Sequence, residues 1–297
     1  MLMASSSSDN KGNGEGFPRD FGAIVGKVFE SSLIKVDREQ FLRSELSRRF
    51  HQRVVRKAIK TTPASAGIEP EIIDQLALDC INYETLRVSG ISAAAGLPGG
   101  VAVIITVPAD MVQFLSHVVV VAQKLAYLYG WQQLFSKECG DMIDDAAKTK
   151  LVLFMGCMFG ISTANTLLVQ LAKALAEGVE SAMVNAALID LGLGTVVQNI
   201  IEAIANTLVP VVAKGVATAI PIAGALVGGY MTYKQFKHKA LQLKHYLEHC
   251  PLAHPDYHRQ SFEGTGMALV SDLSYPVRST PIFDLKGLTP TENLALA

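Results

Sequence analysis

Apolar positions recur at helical spacing along most of the chain. Leu42, Leu46, Phe50 and Val54 follow one another at i+4, and Asp37 with Gln40 three residues on makes a capping-box start for them. Thr61, Thr62 and Pro63 close that segment, so the pattern predicts one amphipathic helix from Asp37 to about residue 60. A second helix is predicted from Pro70, a residue suited to a first helical turn, with Ile73, Leu76, Cys80 and Tyr83 as its buried stripe. Val112, Leu115, Val119, Ala122 and Ala126 mark another. The β-prone runs 101–107 and 118–121 are absorbed into helices on this reading, and the predicted fold class is all-α.

Three stretches carry no charge at all: 88–109 and 151–172, each of 22 residues, and 215–233, of 19. A helix of about 20 residues spans about 30 Å, the thickness of a bilayer's hydrocarbon core, so each qualifies by length as a membrane span. Composition argues the other way. The first contains Gly96, Pro98, Gly99, Gly100 and Pro108, which break a helix; the second contains Ser162, Thr163, Asn165, Thr166 and Gln170; the third is Gly/Ala-rich and contains Pro221. Two GxxxG steps, Gly156 to Gly160 and Gly224 to Gly228, permit close helix approach in a membrane or in a tight soluble bundle. Tyr127, Tyr129 and Trp131 stand at an apolar-to-polar junction, where either an interfacial aromatic belt or ordinary helix-end packing would place them.

Charge is distributed unevenly over the 297 residues. Only 18% are charged, against about 25% in an average domain, and the net charge of −1 excludes a strongly basic nucleic-acid binder. Residues 27–60 hold ten Lys/Arg and four Asp/Glu, whereas 88–233 hold six and nine in 146 positions. Arg48, Arg49, Arg53, Arg56 and Lys57 give the first predicted helix a basic face, solvated in a soluble protein or docked on anionic lipid at a membrane surface. Lys234, Lys237, Lys239 and Lys244 follow the third uncharged run, as cytoplasmic-side flanks do. The Ser/Gly-rich residues 1–19 read as a disordered leader with neither a secretory signal nor a lipidation motif, residues 20–253 as one helical domain, and 254–297 as an irregular tail. A cytoplasmic chain is the expectation.

Catalytic and cofactor motifs are scarce. The run Gly22 to Val28 has one residue too few for a phosphate loop and lacks its Ser/Thr; Gly192-Leu-Gly194 lacks the third glycine of a dinucleotide fingerprint; no G-x-S-x-G elbow occurs. No cofactor is expected. Cys80, Cys139, Cys157 and Cys250 are spaced for neither a zinc knuckle nor a disulfide framework, and Cys80 reads as a core thiol. His245, Glu248 and His249 spell H-x-x-E-H, two histidines on one helix face with an acid able to serve as general base, beside a lysine-rich helix end. Asp110, between Pro108 and Met111, is placed to cap the following helix, with a functional acid as its other role.

Gly96-Leu-Pro-Gly-Gly100, Pro108-Ala-Asp110, Gln123-Lys-Leu-Ala-Tyr-Leu-Tyr129-Gly130 and Ile220-Pro221-Ile-Ala-Gly224-Ala-Leu-Val-Gly228 together resemble the bacterial EcsC family, in an order and spacing that fit across roughly residues 35–250. That family takes its name from a protein encoded beside the ATPase and membrane subunits of an ABC transporter. The resemblance implies a non-catalytic, helical, membrane-associated accessory protein on the cytoplasmic face of the cell membrane, with lipid and an ABC transporter or secretion system as partners, and transfers no catalytic residue. On the residues themselves, the lipid-contacting set is Arg48, Arg49, Arg53, Lys234, Lys237 and Lys239. Three alternatives stand beside it: a soluble helical protein enclosing a lipid or other hydrophobic ligand, a metal-dependent hydrolase using His245, Glu248 and His249, and an integral protein with two or three spans.

Overall fold

A computed structural model describes residues 21–95, 103–135, 143–190, 193–216 and 221–254. The leader 1–19, the tail beyond His254, Cys139 and the motif residues Gly96, Pro98, Gly99 and Gly100 lie outside them. The described residues form ten α-helices and no strand. In order these are α1 (Phe21–Glu30), α2 (Arg38–Leu46), α3 (Gln52–Lys60), α4 (Pro70–Ala95), α5 (Val103–Leu128), α6 (Asp145–Met158), α7 (Ser162–Ala176), α8 (Ser181–Asp190), α9 (Leu193–Val216) and α10 (Pro221–Glu248). Short 3-10 turns at Ser32–Ile34 and Pro251–Ala253 complete the set. Pro70 and Pro221 each occupy a first helical position, where the missing N–H costs nothing.

Helices α4, α5, α6 and α10 make the centre. α4 packs along α10 and α5; α6 packs on α5, α7, α9 and α10; α1 lies on α5 and α9. Every residue of α6 from Lys150 to Met158 is buried, the signature of a helix enclosed on all sides. Gly156 makes this possible: a Cβ there would collide with Ala164 of α7 and come within 2.9 Å of Ile200 Cγ2 of α9. This is the close approach predicted for the first GxxxG step, though Gly160 sits in the turn beyond α6 and not on the same helix face. The uncharged run 151–172 is therefore two helices divided at 159–161, and no single helix spans it.

The structure corrects the predicted basic helix. It is two helices, because Ser47 caps the C-terminal end of α2 and His51 takes an extended backbone (φ −64°, ψ 148°) to start α3. The predicted cap at Asp37 is present, its carboxylate accepting from Gln40 N at 2.7 Å. In α4 Ile73, Leu76 and Cys80 are buried as predicted, but Tyr83 is 58% exposed; the stripe continues instead through Ile81, Glu84 and Val88. Asp110 lies well inside α5, with helical backbone, and so cannot be the N-cap, which requires an extended residue.

The aromatic cluster is core. Tyr127, Tyr129 and Trp131 are all buried, with Trp131 edge-on to Phe154 at 5.0 Å between centroids. Gly130 adopts φ +97°, and a Cβ there would run into the carbonyl of Leu252, so the turn after α5 requires glycine on both counts. Cys80, Cys157 and Cys250 are free and buried; desolvation pushes the thiols of Cys80 and Cys250 up to about 12 and that of Cys157 upward, which leaves them poor nucleophiles. Among the described residues one stretch, Met111–Leu128 of α5, is long and apolar enough to cross a membrane, and 61% of it is buried inside the fold. It coincides with none of the three uncharged runs.

Candidate functional site

α3 is the most polarised element. Val55 and Ala58 are buried, Val54 and Ile59 half-buried, and Arg53, Arg56, Lys57 and Lys60 project from the opposite side. The spacing 53, 56, 57, 60 is one helix face. Arg48 and Arg49, in the turn before it, are also exposed. Arg49 bonds Asp79 Oδ2 of α4 at 2.7 Å. Arg48, Arg53, Arg56, Lys57 and Lys60 have no ion-pair partner among the described residues, and no acidic residue occurs between Glu45 and Glu69. Asp79 shares a face of α4 with Tyr83 and Leu86, which are 58% and 66% exposed. Arg49 thus joins the turn before α3 to the α4 face that carries these exposed side chains.

That surface is held by a cation the sequence did not single out. Arg38, the first residue of α2, is 5% exposed. Its guanidinium donates to the carbonyls of Ile59 (2.6 Å), Thr61 (2.7 Å), Ala58 (3.4 Å) and Trp131 (2.9 Å). The last carbonyls of α3 are the orphan acceptors of a helix terminus, and a positive charge there also complements the helix dipole. Burial lowers the Arg38 pKa from its ordinary value, with Tyr127 acting the other way.

The predicted lysines of α10 do not form one row. Lys234 is exposed; Lys237 is half-buried, its ammonium over the ring of Tyr233 at 5.6 Å; Lys239 is 8% exposed and sits 4.0 Å from the centroid of Phe159. Lys239 is therefore withdrawn from any surface, and burial pushes its ammonium down to about 8. A lysine depressed from 10.5 binds fewer protons folded than unfolded, so its stability cost is complete below pH 8 and is relieved as pH rises to 10.5. Lys239→Met is expected to stabilise the fold by about 2 kcal/mol at pH 7, after loss of the cation–π contact. Urea denaturation of both forms at pH 7 and pH 10 checks this, with the gain shrinking at the higher pH.

The H-x-x-E-H residues do come together. Ligand-type atoms of His245, Glu248 and His249 lie within 4.8 Å of one another. Glu248 is already committed, however. Oε2 accepts from Lys244 Nζ at 2.6 Å and Oε1 faces His245 Nδ1 at 3.0 Å, while His249 Nδ1 is 2.7 Å from the carbonyl of His245. A metal on this carboxylate would face the Lys244 ammonium, and each of its two oxygens already has one neighbour from α10. Lys244 also bonds Asp74, whose Oδ1 accepts from Tyr129 OH at 2.9 Å. The motif residues Tyr129 and Gly130 thus tie the end of α5 to α4, α10 and the C-terminal turn. Pro221, Gly224 and Gly228 lie in the first turns of α10.

A second ion network joins α4 to α5. Glu84, with no solvent exposure, accepts from Lys124 Nζ at 2.6 Å through Oε1 and faces His117 Nδ1 at 3.1 Å through Oε2. Burial alone would raise its pKa; the hydrogen bonds from His117 and Lys124 and the charges of Lys124 and Arg87 outweigh that and lower it. Sequence reading missed these residues because 33 and 40 positions separate the partners. No protein family model, no curated protein and no solved structure matches the chain.

Proposed function

We propose that the chain is a non-catalytic helical protein of the EcsC type that docks peripherally on an anionic membrane surface through α3 and the turn before it. The observation that carries this reading is the acid-free, exposed face of Arg48, Arg53, Arg56, Lys57 and Lys60. Each basic residue close to an anionic leaflet contributes about 1 kcal/mol, within a Debye length of about 8 Å at physiological salt. Exposed Tyr83 and Leu86 on α4 offer apolar area for shallow insertion, in place of a spanning helix. The family resemblance extends the proposal to a place at the cytoplasmic face, beside an ABC transporter or secretion system.

Vesicle co-sedimentation tests it. Vesicles of phosphatidylcholine containing phosphatidylserine are expected to bind the protein at low salt, and pure phosphatidylcholine vesicles are not. Replacing Arg53, Arg56, Lys57 and Lys60 together by Gln should weaken binding by about three orders of magnitude, four such contributions compounded. Failure of the unmodified protein to bind anionic vesicles at low salt overturns the reading.

A further inference from the structure

A cavity of about 250 Å³ lies where several chain turns meet: the end of α3, residues 130–134 beyond α5, residues 178–180 before α8, and Leu252 in the C-terminal turn. α6 contributes Lys150 to its wall. Lys150 is 6% exposed, and among the described residues its ammonium has neither a hydrogen bond nor an ion pair. Asp144 acts on it only through space. The other buried cations are provided for: Arg38 by four carbonyls, Lys244 by two carboxylates, Lys239 by an aromatic face. Lys150 has a cavity where they have a partner.

An anion entering the cavity would give this ammonium the partner that the fold does not, and the indole Nε1–H of Trp131, on the same lining, is buried and also without a hydrogen bond. Gln133 also lines the space; its Oε1 accepts from Arg38 N at 2.9 Å, which leaves its Nε2 as a second donor. Leu134, Leu175 and Val179 supply apolar wall, and Glu180 stands exposed on the lining. The lining carries one cation, Lys150, and one carboxylate, Glu180, so it has no second positive charge for a phosphate dianion. The volume is below the range of about 300–1,000 Å³ usual for larger ligands.

We propose that this cavity binds a small organic monocarboxylate, its carboxylate on Lys150 and Gln133 and its short apolar tail against Leu134, Leu175 and Val179. The site is independent of lipid docking by α3. Trp131, the single tryptophan of the chain, lines the cavity and reports on it. Titration of the full-length protein with hexanoate should change tryptophan emission saturably and raise the melting temperature. Hexanamide, equal in shape but uncharged, should bind at least about tenfold more weakly, and Lys150→Met should weaken hexanoate by at least about tenfold without altering hexanamide. The acid–amide comparison on the unmodified protein does not depend on that variant folding. Equal binding of acid and amide, tighter binding of inorganic phosphate, hexanoate binding unchanged in the folded variant, or no saturable response to about 10 mM each overturns the proposal.

Discussion

Glu84→Ala should destabilise the fold by about 3–5 kcal/mol at pH 7, a large part of the about 5–15 kcal/mol that holds a domain together. The loss comes from what remains. Lys124, 18% exposed, and His117, 12% exposed, would face each other without the carboxylate that lies between them. A double replacement, Glu84→Leu with Lys124→Met, should recover most of the loss, since it removes the closest ion pair whole and leaves the half-exposed Arg87 to water. Chemical denaturation of the double variant and of the Glu84→Leu and Lys124→Met single variants closes the cycle; a double variant as unstable as Glu84→Ala would show that packing, not charge, sets the cost. The pH dependence has a fixed sign. The folded pKa of Glu84 lies below the ordinary 4.5, so its contribution is complete above pH 4.5 and is lost as pH falls through the folded value. The stability gap between the unmodified protein and Glu84→Gln should narrow below pH 4.5.

Arg38→Met should cost about 3 kcal/mol and concentrate its effect on α3. Hydrogen bonds from a charged donor contribute about 1.5–3 kcal/mol each and do not add, and the substitution strips four carbonyls at once. Those of Ala58, Ile59 and Thr61 end α3, a short helix whose one extensive helix neighbour is α2. Hydrogen exchange should therefore accelerate across residues 52–60 before it does so in α6, and Arg38→Lys, with one ammonium in place of a planar fork, should fall between the two. Uniform acceleration through the whole bundle would mean that Arg38 supports the core at large instead of anchoring α3.

These two residues mark where sequence reading stops. The local signals were legible. Asp37 caps α2, Pro70 opens α4, Cys80 is a core thiol, and the β-prone run 118–121 is helix. The exposed cations of residues 48–60 were also legible, because they follow from side-chain type at helical spacing. The break at Ser47–His51 was not: Leu42, Leu46, Phe50 and Val54 keep their period across it, without glycine or proline to mark a turn. The reversal is fixed by Arg38, which reaches carbonyls 20 to 23 residues further on. The aromatic cluster shows the same limit. Its composition suits a membrane interface, and its burial against Phe154 is a property of how α5 and α6 cross.

By itself the sequence determined the helical class, the Asp37 cap, the distribution of charge and the uncharged runs, all of which depend on neighbours within a turn or two. The tertiary structure decided which cations are spent inside the fold and which remain at its surface. Lys239 and Lys244 read as basic flanks of an apolar run, and nothing in one dimension singled out Arg38 or Lys150, yet each is buried, on an aromatic face, between carboxylates, under carbonyls or beside a cavity. The physical reason is that burying a charge depends on a partner from another helix, and helix periodicity carries no information about which helix that will be.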